Sequence, residues 1–137
     1  MSDTSQEQNA PENDPSVYPD AIHCTSGLIY RVLRPSTGNE TPGPDDVVEV
    51  LYRAWTETGH LFETSGDDTP KTLSMRGLIS GLAEALQLMT VGQKMRVWIP
   101  PNLSSAEGRE AKKGTLIFDI ALVGFTPLSS HREPKWL

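Results

Sequence analysis

Leu78-Ile79-Ser80-Gly81-Leu82-Ala83-Glu84-Ala85-Leu86-Gln87-Leu88-Met89 is the stretch whose reading decides the fold. Leu78, Leu82, Ala85, Leu86 and Met89 fall at i, i+4, i+7, i+8 and i+11, an apolar stripe down one face of a helix. Gly92 stops it. This is the chain's one good helix, and a helix with one apolar face must bury that face against another element.

Working outward, both flanks read as strands. Upstream, Leu28 to Leu33 forms a first strand, ended by the turn Pro35 to Asn39 and a further loop from Thr41 to Asp46. Val48, Val50, Tyr52 and Ala54 then alternate with Glu49, Leu51 and Arg53, the pattern of a strand with one face inside. Glu57-Thr58-Gly59-His60 turns the chain into a short strand, Leu61 to Ser65, and Lys71 to Met75 reads as another. Downstream, Met95, Val97 and Ile99 alternate with Lys94, Arg96 and Trp98. Leu116, Phe118, Ile120 and Leu122 alternate with Ile117, Asp119, Ala121 and Val123. A hydrophilic loop, Asn102 to Gly114, separates these two. The expected fold class is therefore α+β: a curved antiparallel sheet of about five strands wrapped over one short helix.

The bulk numbers agree with one small domain. The chain has 137 residues, 36% hydrophobic and 22% charged, with eleven glycines and eleven prolines to supply turns. The net charge of −6 is unevenly spread. Asp3, Glu7, Glu12, Asp14 and Asp20 lie in residues 1–20, which contain no Lys or Arg, so the remainder carries only −1. No basic stripe for nucleic acid is evident in that near-neutral body. Residues 1–21 are expected to be a flexible acidic tail, because they hold too little apolar surface to offset the entropy of ordering. The domain is placed at 22–126 and a C-terminal tail at 127–137. The start lacks the basic and apolar regions of a secretory signal, and no apolar run approaches the ~20 residues of a membrane span. The expectation is a cytoplasmic protein, with no membrane partner.

Conventional catalytic groups are scarce. Cys24 is the single cysteine, so neither an intrachain disulfide nor a cysteine-based zinc site can form. His23 and Cys24 are neighbours and point to opposite sides of an extended segment, a poor pair for a metal. His60 lies in a turn and His131 in a polar tail. Neither a nucleophile elbow nor a phosphate-cradling glycine loop nor an HExxH helix is present.

What remains is an order of segments that resembles the FKBP family of peptidyl-prolyl isomerases over roughly Thr25 to Phe125. Gly27 to Leu33 is similar to the family's opening strand, and Val48-Glu49-Val50-Leu51-Tyr52 to its V-x-V-x-Y. Gly59 to Ser65 resembles G-x-x-F-D-S-S, and Leu78 to Leu86 resembles V-I-x-G-W-x-E-A-L. Met89 to Lys94 matches M-x-x-G-x-K, Ile99-Pro100-Pro101 matches I-P-P, and Thr115 to Leu122 matches L-x-F-x-V-x-L. Each alone is weak; together, and in order, they are specific.

The resemblance implies a peptidyl-prolyl cis-trans isomerase acting on proline-containing peptides or unfolded protein segments, as a monomer and without a cofactor. Tyr52, Phe62 and Phe118 would wall in the proline ring, and Leu78 and Ile79 would line the pocket. The Ile79 amide would donate to a peptide carbonyl, Leu82 would form the floor, and Glu63 the carboxylate at the rim. Such chemistry needs no proton shuttle. The prolyl bond resists rotation by ~18–20 kcal/mol because resonance stiffens a planar, dipolar amide, which water favours. A dry aromatic pocket withdraws that favour and can fit the twisted form better.

The sequence also departs from the family pattern. Leu82 stands where the family has Trp, and Glu63 where it has Asp. Leu103-Ser104-Ser105-Ala106 replaces a segment ending in Ala-Tyr-Gly, so Ser105 offers a hydroxyl but no ring. Glu107 to Gly114 replaces an apolar-Pro-Pro overhang. Reduced activity is the expectation. The alternative is a non-catalytic chaperone or docking module, for which an exposed Trp98, the loop Arg109 to Lys113 and the tail His131 to Leu137 are candidate contacts. A structural subunit of a larger assembly is a third reading.

Overall fold

The computed structural model describes residues 10–66, 68–105 and 114–127. Its strands are β1 (Ile22–His23), β2 (Ile29–Arg34), β3 (Val47–Trp55), β4 (Leu61–Thr64), β5 (Lys71–Ser74), β6 (Lys94–Ile99) and β7 (Leu116–Thr126). Among the described residues there is one α-helix, α1 (Ser80–Leu86), preceded by a 3-10 turn at Met75–Gly77. The strands form one antiparallel seven-stranded sheet in the order β1-β2-β6-β7-β3-β4, with β5 also paired to β3. The α+β class expected from sequence is the one observed, with more strands than the five anticipated.

The additional strands have a physical cause. β3 is long enough to give its outer edge to two partners in turn: Val47 to Val50 pair with β5, and Arg53 to Trp55 pair with β4. At the break, Tyr52 is served by side chains. Its amide donates to Ser65 Oγ at 2.9 Å, and its carbonyl accepts from the Ser65 amide and Thr64 Oγ1, both at 3.0 Å. The Thr64-Ser65 pair therefore replaces ladder bonds for Tyr52 where the strands part.

The inward residues of β3, β6 and β7 are fully buried (Val48, Val50, Met95, Val97 and Ile120 are each 0% exposed), and α1 lays Leu82, Ala85 and Leu86 onto them. The helix is shorter than its stripe. Ile79 is extended (φ −61°, ψ 149°), and the amides of Leu88 and Met89 bond the carbonyls of Ala85 and Leu86, a tightened 3-10 ending. Leu78 and Met89 thus reach the core from flanking turns. Gly81 lets the helix sit this close: a Cβ there would lie 2.6 Å from Ile99 Cγ2 and 3.2 Å from the Leu103 carbonyl oxygen.

The N-terminal expectation needs correcting. Residues assigned by composition to a tail pack against the outer face of the sheet from Glu12 onward. Trp98 Nε1 donates to the Glu12 carbonyl at 2.9 Å, and Asn13 Nδ2 donates to the Glu57 carbonyl at 2.8 Å. The Tyr18 ring lies 5.8 Å from that of Trp98, with the Arg31 guanidinium 4.4 Å from its centroid. Asp20 pairs with Arg31 at 2.9 Å. Trp98, outward-facing as the alternation predicts, is nevertheless only 1% exposed. One tyrosine and a buried indole outweigh a composition that on average argues for disorder. Of the other docking contacts, the loop Arg109 to Lys113 and the tail His131 to Leu137 lie outside the described residues.

Candidate active site

Tyr52 on β3, Phe62 on β4 and Phe118 on β7 meet on the inner face. The rings of Tyr52 and Phe118 are stacked with centroids 6.2 Å apart, and Phe62 meets Phe118 edge-on at 6.5 Å. Register explains the convergence. Phe118 pairs with Ala54, two positions from Tyr52 and therefore on the same face, and β4 brings Phe62 in from the neighbouring edge. Together with Glu63, Leu78, Ile79 and Leu82 they line a cavity of about 140 Å3, sized for one ring-bearing side chain. Leu82 (5% exposed) closes it from the helix side. Among the described residues nothing accepts a bond from the Ile79 amide, which sits at the extended entrance to α1.

The polar groups gather at the rim. Tyr52 Oη donates to Glu63 Oε2 at 2.5 Å, while Lys71 Nζ lies 3.5 Å from that hydroxyl and 3.9 Å from the carboxylate. Burial first, and then the bond to Glu63, push the Tyr52 hydroxyl's pKa well above its ordinary value. Tyr52 is consequently locked protonated, with its one hydrogen already committed. The arrangement has an aromatic, water-poor interior and a fixed dipole at its lip, and no base poised against an acid. That suits a reaction driven by desolvation and shape rather than proton transfer.

The cavity holds three residues that were not expected there. Leu116 shares the inward face of β7 with Phe118, so the alternation contained the signal. Leu73 is the lone apolar residue between Lys71 and Ser74 and was also legible. Lys71 was not: only the pairing of Lys71 with Val50 carries it beside Tyr52. Ser105 does not line the cavity. Its carbonyl accepts from the Ser80 amide at 3.2 Å, bracing the start of α1. The segment that follows it, Ala106 to Lys113, lies outside the described residues.

Comparison with known proteins agrees with this geometry. The family model for FKBP-type peptidyl-prolyl cis-trans isomerase matches residues 38–123. The macrophage infectivity potentiator of Trypanosoma cruzi is 33% identical over 110 residues, 77% of this chain and 56% of that protein. The outer membrane protein MIP of Legionella longbeachae is 34% identical over 110 residues, 77% of this chain and 47% of that protein. The crystal structure of a peptidyl-prolyl cis-trans isomerase from Pseudomonas syringae pv. tomato superposes with a TM-score of 0.68 at 26% identity, covering 81% of this chain and 84% of that one. The chain spans about half the length of the curated relatives it matches. One relative's name places it in an outer membrane, so kinship lends no support to a cytoplasmic location. From the matched residues and the shared architecture, the chain belongs to the FKBP-type peptidyl-prolyl cis-trans isomerase family.

Proposed function

We propose that this chain catalyses cis-trans rotation of X-Pro bonds in peptides or unfolded protein segments, as a monomer. The observation that carries the reading is the cavity enclosed by Tyr52, Phe62 and Phe118 with the Ile79 amide at its edge. A proline ring inserted there would shed water on all sides. The Ile79 amide would hold the adjoining carbonyl, and the prolyl amide would lose the solvation that favours its planar form. Lys71 and Glu63 keep the Tyr52 ring in place.

The activity proposed is weak. Leu82 offers less contact than an indole, and one missing aromatic wall weakens transition-state binding by roughly 1–3 kcal/mol, about tenfold to a hundredfold in rate. Exchange spectroscopy on a Leu-Pro peptide tests both points. The rate should fall at least about tenfold in Phe62→Ala and rise in Leu82→Trp. A wild type with no turnover beyond the uncatalysed rate would remove the proposal. A rate matching that of a relative with the complete pocket would remove the claim of weakness. The docking-module reading has lost its main support, because Trp98 is covered by the protein's own Glu12 to Tyr18.

A further inference from the structure

β5 is an edge strand. Among the described residues its one strand partner is β3, and Lys71, Thr72 and Ser74 are exposed. Parity tells which of its backbone groups are spent. In an antiparallel pair a residue's N–H and C=O point to the same side, and those of its neighbours point to the other. Tyr52 turns both groups toward the β4–β5 side, its amide to Ser65 Oγ at 2.9 Å and its carbonyl to the Ser65 amide at 3.0 Å. Counting back by twos, Val50 and Val48 face the same way, opposite Lys71 and Leu73. Lys71 and Leu73 therefore carry the ladder bonds to β3. Thr72, between them, turns its N–H and C=O away from the sheet. Pro70, just before, has no N–H to lengthen this edge, and after Ser74 the chain enters the 3-10 turn at Met75.

This edge lies on the rim of the prolyl cavity, since Lys71 and Leu73, on either side of Thr72, both line it. A donor and an acceptor spaced as in a strand fit the backbone of an extended chain, whatever its side chains. One residue offers two such bonds, too few to capture a strand from solution. They count for a chain already anchored beside them, and a proline ring in the cavity is that anchor. We propose that the Thr72 backbone extends the prolyl site, taking up the extended residues that adjoin the proline as a short added strand on β5. The inference rests on the isomerase reading above and deepens it by naming the substrate class. That class is an extended segment of unfolded chain, longer than a minimal X-Pro peptide. A prolyl turn whose neighbours fold back would miss the edge.

The test gives the full chain two substrates, a four-residue Leu-Pro peptide and a ten-residue one with the same centre flanked by threonines and valines. Exchange spectroscopy should show kcat/KM higher for the longer peptide by about fivefold or more, the worth of one backbone bond. Thr72→Pro deletes the N–H that points away from β3, at an edge position where proline is tolerated. It should bring the two values together. Esters in place of the longer peptide's flanking amides remove the bond to the Thr72 carbonyl without altering the protein, and should lower the advantage likewise. By NMR, the longer peptide should protect the Thr72 amide proton from exchange. Equal kcat/KM for both peptides in the wild type overturns the proposal, as does an advantage that survives both Thr72→Pro and the esters. Turnover of neither peptide would sink the isomerase reading instead; Thr72 protection by the longer peptide would then still support the edge, and its absence overturn it. Protection that grows with protein concentration, with no peptide present, would give the edge to a second copy and overturn the proposal.

Discussion

The inner and outer faces of the sheet come from the same strands but are covered by different means. The inner face is sealed by α1, whose stripe repeats with helical period. The outer face is apolar at one end, where Trp55, Trp98 and Ile117 are each no more than 2% exposed, and cationic at the other. Its apolar end is covered in part by residues 12–20, which hold a three-residue 3-10 turn (Pro15–Val17) and no repeat. A periodic cover announces itself in sequence. An irregular one rests on a few contacts that only coordinates reveal.

That contrast can be broken by experiment. Trp98→Ala should cost the most, about 3–5 kcal/mol, since it empties a fully buried site; urea unfolding measures it, and a loss under 1 kcal/mol would mean the outer cover is incidental. Truncating residues 1–19 should cost about 2–3 kcal/mol by re-exposing the indole, and should make the Trp98 Nε1 proton exchange with solvent.

On the inner face, Gly81→Ala should cost about 1–2 kcal/mol, because a methyl 2.6 Å from Ile99 forces the helix outward. Thermal unfolding reads this. If it were instead stabilising, the usual preference of helices for alanine would have prevailed over packing.

The smallest effect is expected at the cavity lip. Tyr52→Phe removes a bond to a half-exposed carboxylate, worth about 1 kcal/mol. It should also change the pH dependence. The folded state raises the Tyr52 pKa above that of the unfolded chain, so its contribution is complete below pH ~10 and declines as the pH rises beyond it. Denaturant midpoints from pH 8 upward should fall less steeply in Tyr52→Phe than in the wild type.

Much of the candidate site was legible because its parts lie on regular elements. Tyr52, Phe118 and Leu82 sit on the inward parity of two strands and the apolar stripe of a helix, and Phe62, Glu63, Leu78 and Ile79 came from the order of motifs. Lys71 escaped because a lysine in a short polar strand carries no sign of what it will stand beside. Ser105 stands outside the cavity lining, and its carbonyl serves the helix, a contact that no side-chain pattern announces.

The residues by themselves determined the class of fold, the parity of each long strand and the family, since period and motif order are local properties of the chain. Tertiary structure alone decided which irregular segment covers Trp98, which cation meets Tyr52, and that Thr72 stands at the rim of the prolyl cavity. Those outcomes depend on register between strands far apart in sequence, and register is set by the whole sheet at once.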